Sequence, residues 1–469
     1  MKLYERYADE IADLIRNQVL LPGARLPSVR QARSQRKVSP STVFEAYSLL
    51  EARGLIQCRP RSGYYVNAQS RVRTPEPATA PTVPQSTAVD ISDLVFDVLG
   101  STRNTELVPL GSAFPSAHLF PLDKLAKGLT PAMRQLAPER LTENLTMGDE
   151  QLRRQIALRY TVAGTRVDAS ELVITNGAME ALNLCLQAVT QPGDVVVVES
   201  PTFYAALQAL ERLQLRAVEV ATHPRHGVDL QSLATVLEQH PVKACWLMPN
   251  FQNPLGSLMP VENKRSLVAL LARHQVPLIE DDVYGELYFG LSRPSPAKAF
   301  DTQGLVLHCS SFSKSLAPGY RVGWVAAGRY AEQVQRLKLM TSLSSAIPSQ
   351  LALASYLQTG GFDRHLRQMR LRLEENASMA LRTIARYFPK GTRVTRPQGG
   401  YFLWGELPQT ADALALHRAA LAEGISVAPG HLFSADRRFS HHLRLNYGHH
   451  DATILAAALK VLGRACGVH

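Results

Sequence analysis

A chain of 469 residues has room for two or three domains, and 45% hydrophobic with 19% charged residues describes a folded protein, not a disordered or fibrous one. No apolar run approaches the roughly 18 residues of a membrane span, and the charged start Met1-Lys2-Leu3-Tyr4-Glu5-Arg6 lacks a signal-sequence core. Five scattered cysteines without a C-x-x-C pair exclude a disulfide framework, argue against a metal centre and fit reduced thiols in a cytoplasmic protein.

The net charge of +11 is unevenly placed: residues 1–73 hold 13 Lys+Arg against 6 Asp+Glu, a net +7. A compact basic module is the electrostatic footprint of a nucleic-acid binder. Within it, Tyr7, Ile11, Leu14 and Ile15 recur at helical spacing over Tyr4–Asn17, and Leu21-Pro22-Gly23 breaks the pattern. Ser28 caps a short helix through Arg36. Ser39 suits an N-cap and Pro40 the first turn of another helix, with Val43, Ala46, Tyr47 and Leu50 on one buried face. Ser41, Thr42 and Glu45 point away from that face, and Gly54 stops the helix. Leu55–Val66 reads as a hairpin with a basic tip. Helix, short helix, helix and basic hairpin is the order of a winged helix-turn-helix, mainly helical with a β wing. Its later helix can enter the major groove while Arg59 and Arg61 reach phosphates.

Leu26-Pro27-Ser28-Val29-Arg30, Ser41-Thr42-Val43, Ala46-Tyr47, Leu50-Glu51-Ala52-Arg53-Gly54-Leu55 and Arg59-Pro60-Arg61-Ser62-Gly63-Tyr64-Tyr65-Val66 together resemble the DNA-binding domain of the GntR family. The resemblance implies a domain over residues 1–67 with double-stranded operator DNA as its partner. Arg30, Ser41, Thr42, Arg59, Arg61 and Gly63 are the expected contacts. The chain departs from the family pattern at Ala32-Arg33, Arg36, Lys37 and Pro40.

Pro75, Pro77, Pro81 and Pro84 among Thr, Ala, Gln and Ser mark residues 68–89 as a linker. It is either semi-extended or an ordered loop lying on the large domain. From Asp90 to the end, strand-like and helix-like segments alternate, which implies an α/β fold with a largely parallel sheet. Strands are expected at Leu172–Thr175, Val195–Glu199, Ala244–Met248, Val276–Glu280 and Gly304–Cys309. Helices are expected at Met179–Thr190, Tyr204–Leu213 and Lys264–His274. A smaller lobe begins near residue 360 and includes a strand at Gly399–Trp404.

The candidate chemistry sits at strand ends. Ser310-Ser311-Phe312-Ser313-Lys314-Ser315 places a lysine just past a buried strand, where open α/β sheets hold ligands and where lysine can form a Schiff base with an aldehyde cofactor. Asn176-Gly177-Ala178-Met179 follows a strand and opens a helix, a site for a phosphate. Asn250-Phe251-Gln252-Asn253 is a turn whose asparagine can donate to a ring oxygen. Glu280-Asp281-Asp282-Val283-Tyr284 sets an acid and a phenol three apart, and Ser200–Tyr204 offers a ring for stacking.

In this order these pieces resemble the fold-type I class I aminotransferases, which depend on pyridoxal 5'-phosphate (PLP). The resemblance implies that Lys314 is the internal Schiff-base lysine. Asp281 then pairs with the pyridine nitrogen, and Asn253 and Tyr284 bond the phenolic oxygen. Tyr204 stacks on the ring, while Gly177, Ala178, Met179, Ser311, Ser313 and Arg321 hold the phosphate. Arg444 grips a substrate or effector α-carboxylate, and Lys314, Asp281 and Tyr284 carry the catalysis. A GntR-like head on such a body resembles the MocR family of PLP-dependent transcriptional regulators. That implies a head-to-tail homodimer whose body senses an amino acid or amine. The alternative is an active aminotransferase with an appended DNA-binding domain; a third reading makes the body a cofactor-free dimerisation scaffold.

Overall fold

The computed structural model describes residues 3–16, 19–21, 23–36, 38–52, 55–59, 62–67, 74–100, 107–134, 136–141 and 146–467. They fall into two compact units, Met1–Arg73 and Thr74–His469.

The first unit holds α1 (Leu3–Arg16), α2 (Val29–Arg36), α3 (Pro40–Ala52), β1 (Ile56–Arg59) and β2 (Gly63–Val66), the strands pairing antiparallel with Ile56 opposite Val66. Both expected caps form. The Gln31 N–H donates to Ser28 Oγ at 3.2 Å and the Thr42 N–H to Ser39 Oγ at 3.1 Å, which satisfies amides that each helix start leaves free. Tyr7, Ile11, Val43, Ala46, Tyr47, Leu50, Ile56 and Val66 share one core. The Tyr47 hydroxyl donates to the Pro27 carbonyl at 2.8 Å, so the largest buried ring of the unit leaves no polar atom unpaired. Gly54, the expected helix stop, lies outside the described residues.

Of the two readings of the linker, residues 74–88 take the ordered one. Val394 N–H donates to the Pro75 carbonyl at 2.8 Å, and the Arg396 guanidinium donates to the Thr74 carbonyl at 2.6 Å. Glu76 accepts from the Arg396 N–H at 3.1 Å and pairs with Arg225 at 2.5 Å. Arg216 holds Ser86 through two hydrogen bonds. Carbonyls, the Glu76 carboxylate and the Ser86 hydroxyl fix much of this stretch, with Pro77 buried and Ala80 packed on the core, contacts that its composition did not announce.

The second unit runs through β3 (Thr87–Ala88), α4 (Ser92–Gly100), β4 (Val108–Pro109), α5 (Leu122–Arg134), α6 (Glu150–Val162), β5 (Leu172–Thr175), α7 (Ala178–Val189), β6 (Val195–Ser200) and α8 (Tyr204–Arg212). It continues with β7 (Arg216–His223), β8 (Gly227–Val228), α9 (Leu230–Gln239), β9 (Val242–Leu247), α10 (Val261–His274), β10 (Leu278–Asp281), β11 (Val306–Ser311) and β12 (Gly323–Ala326). The remainder is α11 (Ala331–Thr341), α12 (Ile347–Gln358), α13 (Gly361–Tyr387), β13 (Arg393–Val394), β14 (Phe402–Glu406), α14 (Ala413–Ala422), β15 (Ile425–Ser426), β16 (Ala428–Pro429), β17 (His442–Asn446) and α15 (Ala452–Ala465).

Among the described residues, the large sheet orders its strands β3-β7-β6-β9-β10-β11-β12-β5, with β8 paired to β7. Strands β7, β6, β9, β10 and β11 are mutually parallel, whereas β12 runs antiparallel to both neighbours. Along β6, Val195 and Val197 enter one core and Val196 and Val198 another, because successive side chains leave opposite faces. A strand covered on both faces reads as an unbroken apolar run, which is why its position was legible. The β5, β6, β9, β10 and β11 chains all point their carboxyl ends to one edge, and the loops there hold the candidate residues.

The smaller lobe carries the antiparallel sheet β13-β14-β17-β16 and helices α13 to α15. It is not purely C-terminal: β15 pairs with β4, which draws residues 108–114 onto it. No helix among the described residues is long and apolar enough to cross a membrane.

Candidate functional site

Lys314 lies three residues beyond β11, in a turn, partly exposed. Its Nζ donates to the Ala113 carbonyl at 2.8 Å and sits 3.4 Å from the centre of the Phe114 ring. Burial pulls the ammonium down to about 7; Arg444 and Arg321 push the same way and Asp281 opposes them.

Asp281 ends β10 and is buried. Burial lifts its carboxyl to about 7, with Asp282 adding to the rise and the Val283 N–H, Lys314 and His308 opposing it. Its Oδ1 is buried with no hydrogen-bond partner. Tyr284, one turn on, is buried edge-on to Tyr401 and Phe402 at 5.4 and 5.6 Å, and burial raises its phenol. Asn253 Nδ2 donates to the Tyr284 hydroxyl at 3.5 Å, while Asn253 Oδ1 accepts from Arg444 Nη1 at 3.1 Å. Arg444, on β17, is fully buried, donates from Nη2 to the Gly111 carbonyl at 2.6 Å and keeps Nε unpaired. Its guanidinium lies 4.4 Å from the Phe402 ring centre, 5.2 Å from Phe433 and 5.8 Å from Tyr204. Rings from β14, from the start of α8 and from the turn at Phe433 thus enclose a planar cation.

The third part is a cradle at the start of α7. Gly177 precedes the helix at φ 89°, ψ 171°, a conformation that essentially only glycine adopts, and no side chain caps the helix. A Cβ at Gly177 would come within 2.5 Å of Arg321 Nη2. Arg321 is itself held at φ 52° and donates to the Asn176 carbonyl at 3.0 Å. Ser311 and Ser313 are buried at the facing strand end; the Ser313 N–H reaches Ser311 Oγ at 3.4 Å, and Ser313 Oγ has no partner. Ala178 and Met179 are half-buried. Gly177→Ala is expected to weaken an anion held here by about 5- to 100-fold, because the methyl would push the Arg321 guanidinium or the helix start away, a loss of about 1–3 kcal/mol of charged hydrogen bonding. Spectral titration of the cofactor-free variant measures this, and unchanged affinity would show that the cradle is not used.

Several neighbours escaped sequence reasoning. Gly111-Ser112-Ala113-Phe114 meets the site through carbonyls: Gly111 takes Arg444, Ala113 takes Lys314 and the Tyr401 hydroxyl, and Ser112 and Phe114 take Asn446. Carbonyl contacts leave no residue-type signal. Beneath Asp281, Trp324 Nε1 donates to the Tyr160 hydroxyl at 3.0 Å, which lies 2.6 Å from His308 Nδ1, and His308 Nε2 meets Asp282 at 3.0 Å. Asp282 also binds Arg293 at 2.9 Å and Asn250 at 3.0 Å. Burial opposes its charge, yet His308, Arg293 and Asn250 hold the carboxyl below the usual range. The cysteines are all free, but the fold brings Cys185 and Cys309, distant in sequence, to 3.5 Å between sulfurs.

In the first unit Arg30, Ser41 and Arg59 are exposed and Thr42 is half-buried. Ser41 and Thr42 hydroxyls both lie against Ser39 Oγ, at 2.8 and 2.7 Å. The Arg59 guanidinium stacks 4.4 Å over Tyr65, and Gly63 turns at φ 106°. Arg61 lies outside the described residues.

A model of the aminotransferase class I and II family matches residues 120–461, and one of the bacterial regulatory proteins of the gntR family matches residues 3–66. The uncharacterized HTH-type transcriptional regulator YdcR of Escherichia coli (strain K12) is 48% identical over 464 residues, 99% of each chain. Among solved structures, the α-aminoadipate aminotransferase LysN of Thermus thermophilus superposes with a TM-score of 0.73 at 30% identity, covering 81% of this chain and 95% of that one. The Pyrococcus horikoshii kynurenine aminotransferase gives 0.75 at 27% identity over 80% of this chain and 94% of that one.

Proposed function

We infer that this chain, which belongs to the aminotransferase class I and II family and carries a head of the gntR family of bacterial regulatory proteins, is a DNA-binding transcriptional regulator whose body holds PLP and senses an amino acid or amine. The observation that carries this reading is a set of unsatisfied groups that one cofactor fits. Asp281 Oδ1 and Ser313 Oγ are buried without partners, and the uncapped start of α7 faces Arg321 across a gap that a Cβ would fill. Asp281 would meet the pyridine nitrogen, and Asn253 and Tyr284 the phenolic oxygen. Tyr204 would face the ring. Gly177, Ala178, Met179, Ser311, Ser313 and Arg321 would hold the phosphate. Bound PLP supplies an aldehyde that amines attack and a ring that withdraws electrons from the amine's α-carbon. Lys314 holds the cofactor through its amine and, when free, can take a proton from an amine bound beside it. Arg444 offers a planar fork to an α-carboxylate.

A ligand that binds two body conformations unequally would reposition the DNA heads, and a homodimer would give two heads for two half-sites. Titrating the PLP-loaded protein with a panel of amines and amino acids tests the sensing: a saturable spectral change with some of them is expected, and none with any compound would refute it. A second reading, an aminotransferase proper, is kept open because the same groups, Lys314, Asp281 and Arg444, would serve transamination. Turnover of about 1 s⁻¹ or more is its mark.

Arg59, exposed on the wing, would contact a phosphate in this reading. Arg59→Ala should weaken binding to all sequences alike and make the slope of log affinity against log salt shallower by roughly one unit. A sequence-dependent loss with an unchanged slope would reassign Arg59 to base reading.

A further inference from the structure

Helix α3 buries Val43, Ala46, Tyr47 and Leu50, which leaves Ser41, Phe44, Glu45 and Ser48 on the exposed stripe. Phe44 is 57% exposed, and no other aromatic ring among the described residues of the head is exposed. The helix contains no lysine or arginine, so it cannot read guanine by a bidentate cation. The hydroxyls of its first turn are engaged locally: Ser39 Oγ lies against both Ser41 Oγ and Thr42 Oγ1. The exposed side chains left to meet a base edge in the first two turns are Phe44 and Glu45; Glu45 can only accept, as from a cytosine amine, and Phe44 is the one apolar group. The head also exposes cations on other elements, among them Arg30 and Arg33 on α2 and Arg59 on β1. A ring on a surface free of cations would be unremarkable; here it projects from the helix that the head offers to DNA.

We propose that Phe44 packs against the 5-methyl group of a thymine in the major groove, so that this position of the operator is specified as thymine. The proposal rests on the reading of the head as a DNA-binding module. Thymine alone among the four bases carries a methyl in the major groove, and phenylalanine is among the side chains that contact it. Exposed arginines such as Arg30, Arg33 and Arg59 supply sequence-independent attraction to phosphates, and Phe44 adds the discrimination.

The full-length protein is used to select its preferred duplexes from a randomised library. Each thymine of the best duplex is then replaced singly by deoxyuridine, which removes only the methyl, and binding is measured for wild type, Phe44→Ala and Phe44→Leu. One thymine in each half-site should, as deoxyuridine, weaken wild type by about fourfold, the worth of one buried methyl. Phe44→Ala should be indifferent to that same replacement, and Phe44→Leu should keep part of the effect. Putting 5-methylcytosine at the position should retain more affinity than cytosine. DNA binding in which no deoxyuridine matters, or in which wild type and Phe44→Ala lose equally, overturns this proposal alone and points to another partner for the ring. Absence of any DNA binding by the wild type overturns it together with the reading of the head.

Discussion

Replacing Lys314 by alanine is expected to abolish covalent attachment of PLP. The wild-type protein should be yellow, with an absorbance band that borohydride bleaches while fixing the cofactor to the chain. Lys314→Ala should show neither, although it retains the groups placed to hold the phosphate and the ring. The effect is complete because no second lysine among the described residues lies in the site; Lys264, Lys298 and Lys338 are occupied by Asn250, the Val306 carbonyl and Glu180 respectively. The same amine predicts a pH dependence. Attack on an aldehyde needs the neutral form, and burial lowers the Lys314 amine to about 7. Capture of PLP by cofactor-free protein should therefore slow below pH 7, where the ammonium dominates, and level off above about pH 8. An ordinary lysine would keep accelerating to about pH 10. Borohydride-fixed cofactor in Lys314→Ala at the wild-type level would dismiss the assignment.

Arg444→Ala should weaken every ligand that carries an α-carboxylate by about 30-fold or more. The guanidinium is fully buried, and its loss would leave a carboxylate without a partner among Phe402, Phe433 and Tyr204, a penalty of about 2 kcal/mol or greater. Arg444→Lys, which keeps charge but not the fork, should fall between the two. An amine lacking the carboxylate should bind Arg444→Ala nearly as well as wild type, which separates a lost contact from a disturbed fold. Arg444 also helps to lower Lys314, so the pH midpoint of PLP capture should move up in Arg444→Ala. Amino acid affinity within twofold of wild type would remove Arg444 from the ligand site.

Legibility in the sequence divides along physical lines. Strands buried on both faces, such as Val195–Ser200, announce themselves as apolar runs, and caps such as Ser39-Pro40 announce helix starts. Lys314, Asp281, Asn253 and Tyr284 were candidates in the sequence because each lies at or just past the carboxyl end of a strand and has the side chain the proposed chemistry requires. Hidden were the groups that act through main-chain oxygen, residues 111–114, and those that meet only in three dimensions. Tyr160, His308 and Asp282 form one chain from three separated segments. The docking of residues 74–88 was undetermined for the same reason: their carbonyls are met by Arg216 and Arg396, which any proline-rich stretch could have found or lacked.

The central claim is that one chain couples an amino-compound site to DNA. Its most direct test is the DNA affinity of the full-length protein, measured on its selected duplex without PLP, with PLP, and with PLP plus each member of an amine and amino acid panel, while keto-acid release is followed in parallel. The predicted result is a DNA affinity that changes severalfold with PLP and at least one amino compound, a coupling of about 1 kcal/mol or more, with turnover well below 1 s⁻¹. DNA affinity indifferent to PLP and to every compound tested, together with transamination at about 1 s⁻¹ or faster, would contradict the account and leave an enzyme with an appended DNA-binding head.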